Sequence, residues 1–370
     1  MNQRSNNTSR RTFIKAAGAA ALVASAPMII ADDKPAEKNP IVGEGEYKYE
    51  CIHGWAKVPE GMRFGNTHMV QEDAQGRIFI HHTGAPDSVF IFDPDGKFIK
   101  SWGKEWCPGA HGMQMRKEGN EEFLYLATTG QHKVVKTNLY GEQVFVLEYP
   151  KDAKNSKGEP CYKDTETQKN GKTVKTAAQD RYSPTNIAFA PNGDFYVADG
   201  YGSNYIHQYN IKGEYIRTWG GGGNKDGQLS CPHGIFTDTR DTANPRILVA
   251  DRSNERLQYF TLNGEHIATI KPAGEPNPYR APCHFDQRGD VLVCPGLHGR
   301  VSILDKDNKV LVVLGDNTDA KTRGNNGAKP EQRKPGVFCA PHGSTFDRAG
   351  NIYVTEWVSD GRVIKLRHVA

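Results

Sequence analysis

Self-similarity at a spacing of about forty residues constrains this chain more than any other feature. The clearest copy spans 182–220. It runs Asn192-Gly193-Asp194-Phe195-Tyr196-Val197-Ala198-Asp199, then Tyr205-Ile206-His207-Gln208-Tyr209, then Lys212-Gly213-Glu214. Apolar alternation broken by Gly, Asn and Asp turns reads as short antiparallel strands, four to a unit. Further copies lie at about 66–103, 108–148, 230–270 and 281–315, and a sixth starts at Ala340-Pro341-His342. A unit of this size cannot bury a core alone, so neighbours must stack, and this period predicts a ring of blades. The expected fold is all-β, a six-bladed β-propeller over 45–370.

The sixth copy shows only three strands. Near the N-terminus, Tyr47-Lys48-Tyr49-Glu50-Cys51-Ile52-His53-Gly54-Trp55 resembles the fourth strands Lys97-Phe98-Ile99-Lys100-Ser101-Trp102-Gly103 and Glu214-Tyr215-Ile216-Arg217-Thr218-Trp219-Gly220. Pairing that N-terminal strand with the last blade would close the ring and remove its exposed edges.

Ahead of it, Ser9-Arg10-Arg11-Thr12-Phe13-Ile14-Lys15 precedes an apolar, alanine-rich run over 16–30. That layout predicts a twin-arginine export signal over 1–31 and a polar linker over 32–44, with a periplasmic or secreted product off the membrane after cleavage. A net charge of +4 without a Lys/Arg run argues against a nucleic-acid partner. The seven cysteines show no CxxC spacing, which argues against a cysteine zinc site; an oxidising compartment permits some to pair, and the odd count leaves at least one free. Two polar connections, 151–181 and 316–334, are expected to be mobile surface loops.

Aligned from their first strands, the copies bring Thr67, His111, Thr185, His233, Cys283 and His342 to one position. Three histidines then fall on alternate blades, about a third of a turn apart, as a three-imidazole metal site with an open coordination position requires. A Pro-x-Gly start is also an ordinary repeat turn, whose middle residue can be anything polar that fits. First-strand starts lie beside second-strand ends, which brings Tyr201, Arg252 and His81-His82 to the same face. Arg252 could equally pair with a carboxylate, and Tyr201 could be a packed rim aromatic. Asp199 and Asp251 match in register and are expected to hold turns. His68, His284 and His298 break the alternation and are expected behind the tripod or on the surface.

The repeats resemble NHL repeats. Over about 180–260, Asp199-Gly200-Tyr201, Gly227-Gln228-Leu229, Pro232-His233-Gly234 and Val249-Ala250-Asp251-Arg252-Ser253-Asn254-Glu255-Arg256 resemble the peptidyl-α-hydroxyglycine α-amidating lyase family; Ala110-His111-Gly112 and Ala340-Pro341-His342 extend the likeness. The resemblance implies zinc, or another divalent metal, on His111, His233 and His342. It also implies Tyr201 and Arg252 as active-site residues. The reaction would be cleavage of a carbinolamide, N–CH(OH)–COO⁻, on a small-molecule or peptide substrate, giving an amide and glyoxylate. The family's second arginine falls on His82, which is kept as a substrate-binding position. Gly343 stands where an acidic residue helps bind structural calcium, which argues against calcium, and Gly202 replaces a disulfide cysteine. A monomeric metal-dependent lyase is expected. The alternative is a non-catalytic periplasmic NHL binding module for a peptide, glycan or protein. A lactonase-like hydrolase fits less well, because no ring of acidic calcium ligands is present.

Overall fold

Each copy forms a twisted antiparallel sheet, and the computed structural model describes residues 38–271 and 277–369. The expected export signal lies outside the described residues. Six sheets, each ordered outward from its first strand, make the blades of an all-β propeller. The first strands are Thr67–Glu72, Ala110–Glu118, Asn186–Phe189, Pro232–Asp238, Asp286–Arg288 and Pro341–Phe346. The second strands are Ile78–His82, Glu121–Thr128, Phe195–Ala198, Arg246–Asp251, Val291–Gly296 and Ile352–Glu356.

One apolar cluster fills each gap between neighbouring blades. Between blades two and three, Tyr125 and Ala127 meet Ile187, Phe195 and Val197. Between blades six and one, Tyr353 and Val363 meet Val70, Ile80, Phe90 and Phe92. Each such side chain, fully buried, contributes about 1.5–3 kcal/mol before entropy is charged against it. The core is therefore a set of wedges around the axis, and the polar starts of the first strands are left to line the channel.

The sixth sheet has five strands. Tyr49–Ile52 pairs antiparallel with Arg362–His368, Tyr49 opposite His368 and Ile52 opposite Lys365. Ile41–Val42, within the stretch expected as linker, adds an outer strand.

Trp55 occupies the place that Trp102 holds one blade further on. Each indole lies over the glycine of the next blade's outer turn and donates to a carbonyl of that turn: Trp102 Nε1 to Leu139 O at 3.2 Å, Trp55 Nε1 to Pro94 O at 3.0 Å. Gly141 has φ of +91° beneath Trp102, and a Cβ there would lie 2.8 Å from the indole ring. Only glycine tolerates both conditions, which explains the recurring Asp/Asn-x-x-Gly turns.

The two polar connections are tied down, against expectation. The first carries the hairpin Thr165–Lys169 and Lys172–Thr176. It sends Ala153, Cys161 and Tyr162 into the cluster between blades two and three. Tyr162 donates to Asp199 Oδ2 at 2.7 Å and lies 2.7 Å from His207 Nε2. In the second, buried Asn317 donates to Phe338 O at 2.8 Å, and Ala328 is buried. A few well-placed side chains suffice to anchor a segment whose composition is polar. All seven cysteines are free thiols. No helix among the described residues is long and apolar enough to cross a membrane.

Trp55 is 4% exposed and meets Tyr353 edge-on at 4.9 Å and Phe92 at 5.6 Å. Trp55→Ala should therefore lower unfolding free energy by about 3–5 kcal/mol. A denaturant midpoint equal to that of the wild type would show that this indole does not tie blade six to blade one.

Candidate metal centre

The slots at the first-strand starts are built around a β-bulge. In blade four Pro232 pairs with Asp251 and Gly234 with Ala250, so His233 is skipped by the ladder. In blade six Pro341 pairs with Glu356 and Gly343 with Thr355, which skips His342. His111 lies in the same kind of break, between Ala110 and Met113. A skipped residue is free of pairing, and its side chain is re-aimed. Here the aim is into the channel.

Each imidazole is then fixed by the next blade. His111 Nδ1 lies 2.7 Å from Thr185 O, His233 Nδ1 2.9 Å from Cys283 O, and His342 Nδ1 3.0 Å from His68 O. A carbonyl can only accept, so Nδ1 carries the proton and Nε2 keeps a free lone pair. That is the tautomer a metal ligand needs, held as metal-binding histidines usually are. The residue after each histidine is Gly112, Gly234 or Gly343, and a Cβ at any of them would run into the same carbonyl. The three rings form a near-equilateral triangle, with centroids 4.8, 4.6 and 4.9 Å apart. All three are buried. Burial holds them far below the ordinary value near 6.5, His111 at about 3, so they are neutral at neutral pH. Neutral imidazoles are donors that a divalent ion accepts, but among the described residues the group whose ligand atoms all lie within 4.8 Å of one another is His68, His111 and His342, with His233 outside it.

Tyr201 and Arg252 close the mouth. The Tyr201 ring is 45% exposed, but its hydroxyl turns inward, 3.2 Å from His111 Nε2 and 3.0 Å from His233 Nε2. Arg252, in the short turn Arg252–Asn254, donates from Nη2 to that hydroxyl at 3.2 Å and lies 3.2 Å from Cys231 Sγ. Enclosure of the hydroxyl pushes Tyr201 up to about 12, and the Arg252 guanidinium pulls the other way.

The carboxylates at the second-strand ends do a different job. Asp199 and Asp251 accept from Ser183 N and Ser230 N, each at 2.6 Å. Glu356 accepts from Cys339 N and Ala340 N at 2.5 and 3.1 Å. They clamp the backbone that leads into the slots. His82 belongs to this rank, because it pairs with Thr67 as Asp251 pairs with Pro232. It is fully buried, 4.1 Å from the Phe90 ring and 5.0 Å from Phe64, with Nδ1 accepting from Gly84 N–H at 2.9 Å. The expected substrate-binding side chain is thus turned into the blade and not brought together with Tyr201 and Arg252.

The same ladder corrects the alignment of blade one. Thr67 pairs with His82 and Met69 with His81, so His68, not Thr67, is the bulge residue. The slots read His68, His111, Thr185, His233, Cys283 and His342, with four imidazoles in place of three. His68 is 5% exposed, and its ring lies 4.8 Å from His111 and 4.7 Å from His342. The ligand atoms of these three lie within 4.8 Å of one another. His284 lies beyond the slots, where Asn186 Nδ2 is 3.1 Å from its Nδ1, and His298 is exposed.

His82, His111, His207 and His284 are each lowered to about 3, burial being the first cause. Between about pH 3 and 6.5 the unfolded chain binds protons that the folded one refuses. Stability therefore rises with pH across that window and is lost as pH falls, by about 1.4 kcal/mol per pH unit for each such group. Chelator-treated protein should lose thermal stability steeply from pH 7 to pH 5. A flat profile would show that these imidazoles charge freely in the fold.

No family model matches the chain. It is 26% identical over 220 residues to human NHL repeat-containing protein 3, covering 57% of this chain and 56% of that protein. It is 28% identical over 205 residues to peptidyl-alpha-hydroxyglycine alpha-amidating lyase 1 of Drosophila melanogaster, covering 53% of this chain and 32% of that protein. Peptidyl-glycine alpha-amidating monooxygenase B of Xenopus laevis is 25% identical over 218 residues, 55% of this chain and 22% of that protein. The matched region thus spans between about a fifth and just over half of these relatives. Among solved structures, a gluconolactonase of Xanthomonas campestris superposes with a TM-score of 0.57 at 13% identity, covering 90% of this chain and 96% of that one. Virginiamycin B lyase of Staphylococcus aureus gives a TM-score of 0.53 at 13% identity, over 87% and 100%. Those two likenesses bear on the fold alone. The chain is a six-bladed NHL-type propeller that resembles the peptidyl-α-hydroxyglycine α-amidating lyases.

Proposed function

We propose that the chain is an exported metal-dependent lyase. It cleaves a carbinolamide, or a related small hydroxylated carboxylate, at an ion held by His111, His233 and His342. The observation that carries this reading is the convergence of three neutral imidazoles, each tied through Nδ1 to a main-chain carbonyl, beside the Tyr201 hydroxyl and the Arg252 guanidinium. Three nitrogen donors with a position left open suit zinc. When bound, zinc supplies Lewis acidity toward the substrate's oxygens.

The remaining work falls to the chain. Arg252 offers N–H donors to the substrate carboxylate, and with His82 buried it carries that recognition alone. Tyr201 takes the hydroxyl proton as the C–N bond breaks, and a proton is returned to the leaving nitrogen. R–CO–NH–CH(OH)–COO⁻ thereby yields R–CO–NH₂ and glyoxylate, with atoms and charge conserved. A phenol at about 12 is a poor base near neutrality, so the positive charge around it sets its usefulness.

In the same reading, residues 1–31 are a twin-arginine export signal and Tyr49–Ile52 closes the ring. The chain then works as a monomer. Glyoxylate release from an N-acyl-α-hydroxyglycine tests the chemistry. Tyr201→Phe should lower turnover by at least about a hundredfold with zinc content unchanged. A variant as fast as the wild type would remove Tyr201 from this role. No release by zinc-loaded wild type would remove the substrate, and a wild type that takes up no zinc would favour the non-catalytic binding module.

A further inference from the structure

We propose that His68 is a fourth imidazole of the same centre. It would hold the ion together with His111 and His342, on the side of the channel away from His233. The proposal rests on the reading that these histidines bind a metal, and it adds a ligand that a three-histidine site lacks.

The first support is position. His68 fills the bulge slot of blade one, as His111, His233 and His342 fill theirs. Around the ring it stands between His342 and His111, whereas His233 stands between the same two by the longer way. The four rings make two triangles that share the His111–His342 edge, with every side between 4.6 and 4.9 Å. The ligand atoms of His68, His111 and His342 all lie within 4.8 Å of one another, which lets one ion engage all three.

The second support is an unanswered polar atom. His68 Nδ1 is buried and has no hydrogen-bond partner, although the side chain is only 5% exposed. A buried ring nitrogen without a partner is costly unless something at the site answers it. The contrast with the other three is instructive. Each of them is followed by glycine, which lets the next blade's carbonyl approach and take the Nδ1 proton; His68 is followed by Met69, and no carbonyl accepts from its ring. Its tautomer is therefore not locked, and either nitrogen can be offered to a metal. Its backbone, by contrast, is fixed, since its carbonyl faces both His342 Nδ1 at 3.0 Å and Thr355 Oγ1 at 3.1 Å. Four nitrogen donors still leave zinc room for a substrate oxygen, because it expands to five-coordinate.

The test uses the mature chain as wild type, His68→Ala, His68→Gln and His233→Ala. Each is titrated with Co²⁺ by visible absorption and with Zn²⁺ in competition with a chromophoric chelator. Both His68 variants should bind zinc at least about tenfold more weakly and give an altered cobalt spectrum, while still taking up one ion per chain. Should alanine fail to fold, as judged by circular dichroism, glutamine fills nearly the same space and is read in its place. Wild-type affinity and spectrum in the folded His68 variants, with loss in His233→Ala, would overturn the fourth ligand and leave the three-histidine reading standing. No uptake of either metal by the wild type would overturn both.

Discussion

The centre depends on one contact repeated three times, an imidazole Nδ1–H of one blade donating to a main-chain carbonyl of another. It sets the tautomer, aims Nε2 inward, and makes the site a property of neighbouring blades together and not of any one blade. The glycine after each histidine is part of that contact, because a side chain there would push the accepting carbonyl away. Gly343 illustrates the point. From sequence it reads as the loss of an acidic calcium ligand, whereas in the structure it is what allows His342 to reach His68 O.

Charge near the imidazoles is one-sided. The carboxylates at the second-strand ends are already used: Asp199 on Ser183 and Ser203, Asp251 on Ser230 and Arg256, Glu356 on Cys339 and Arg362. What faces the channel mouth is a set of neutral rings, a phenol and the Arg252 guanidinium. A divalent ion added there would make the pocket strongly positive, which favours an anionic substrate and disfavours a cationic one.

The repeat made the blades and their strand order legible, since turn chemistry and alternation agree in every copy. It also made His111, His233 and His342 legible as a set. In blade one the ladder differs by one residue from the register that Thr67-His68-Met69 suggests, and only the pairing of Thr67 with His82 and Met69 with His81 reveals it. That shift hid His68. It also hid the fact that His82 matches Asp251, a clamp position facing the blade interior, and not Arg252 one residue later. The anchoring of 151–181 was illegible for another reason: Tyr162 is one aromatic in a polar stretch, and its partners Asp199 and His207 are distant in sequence. His-Gly, as distinct from His alone, was the usable signal for the three locked imidazoles.

The central claim is that these imidazoles converge on one ion, and anomalous diffraction at the zinc edge from crystals soaked in Zn²⁺ tests it most directly. The account predicts a single strong peak per chain in the channel, bonded to Nε2 of His111, His233 and His342 at about 2.0–2.1 Å. A map with no peak among these rings, or with zinc bound only at surface histidines such as His298, would contradict it.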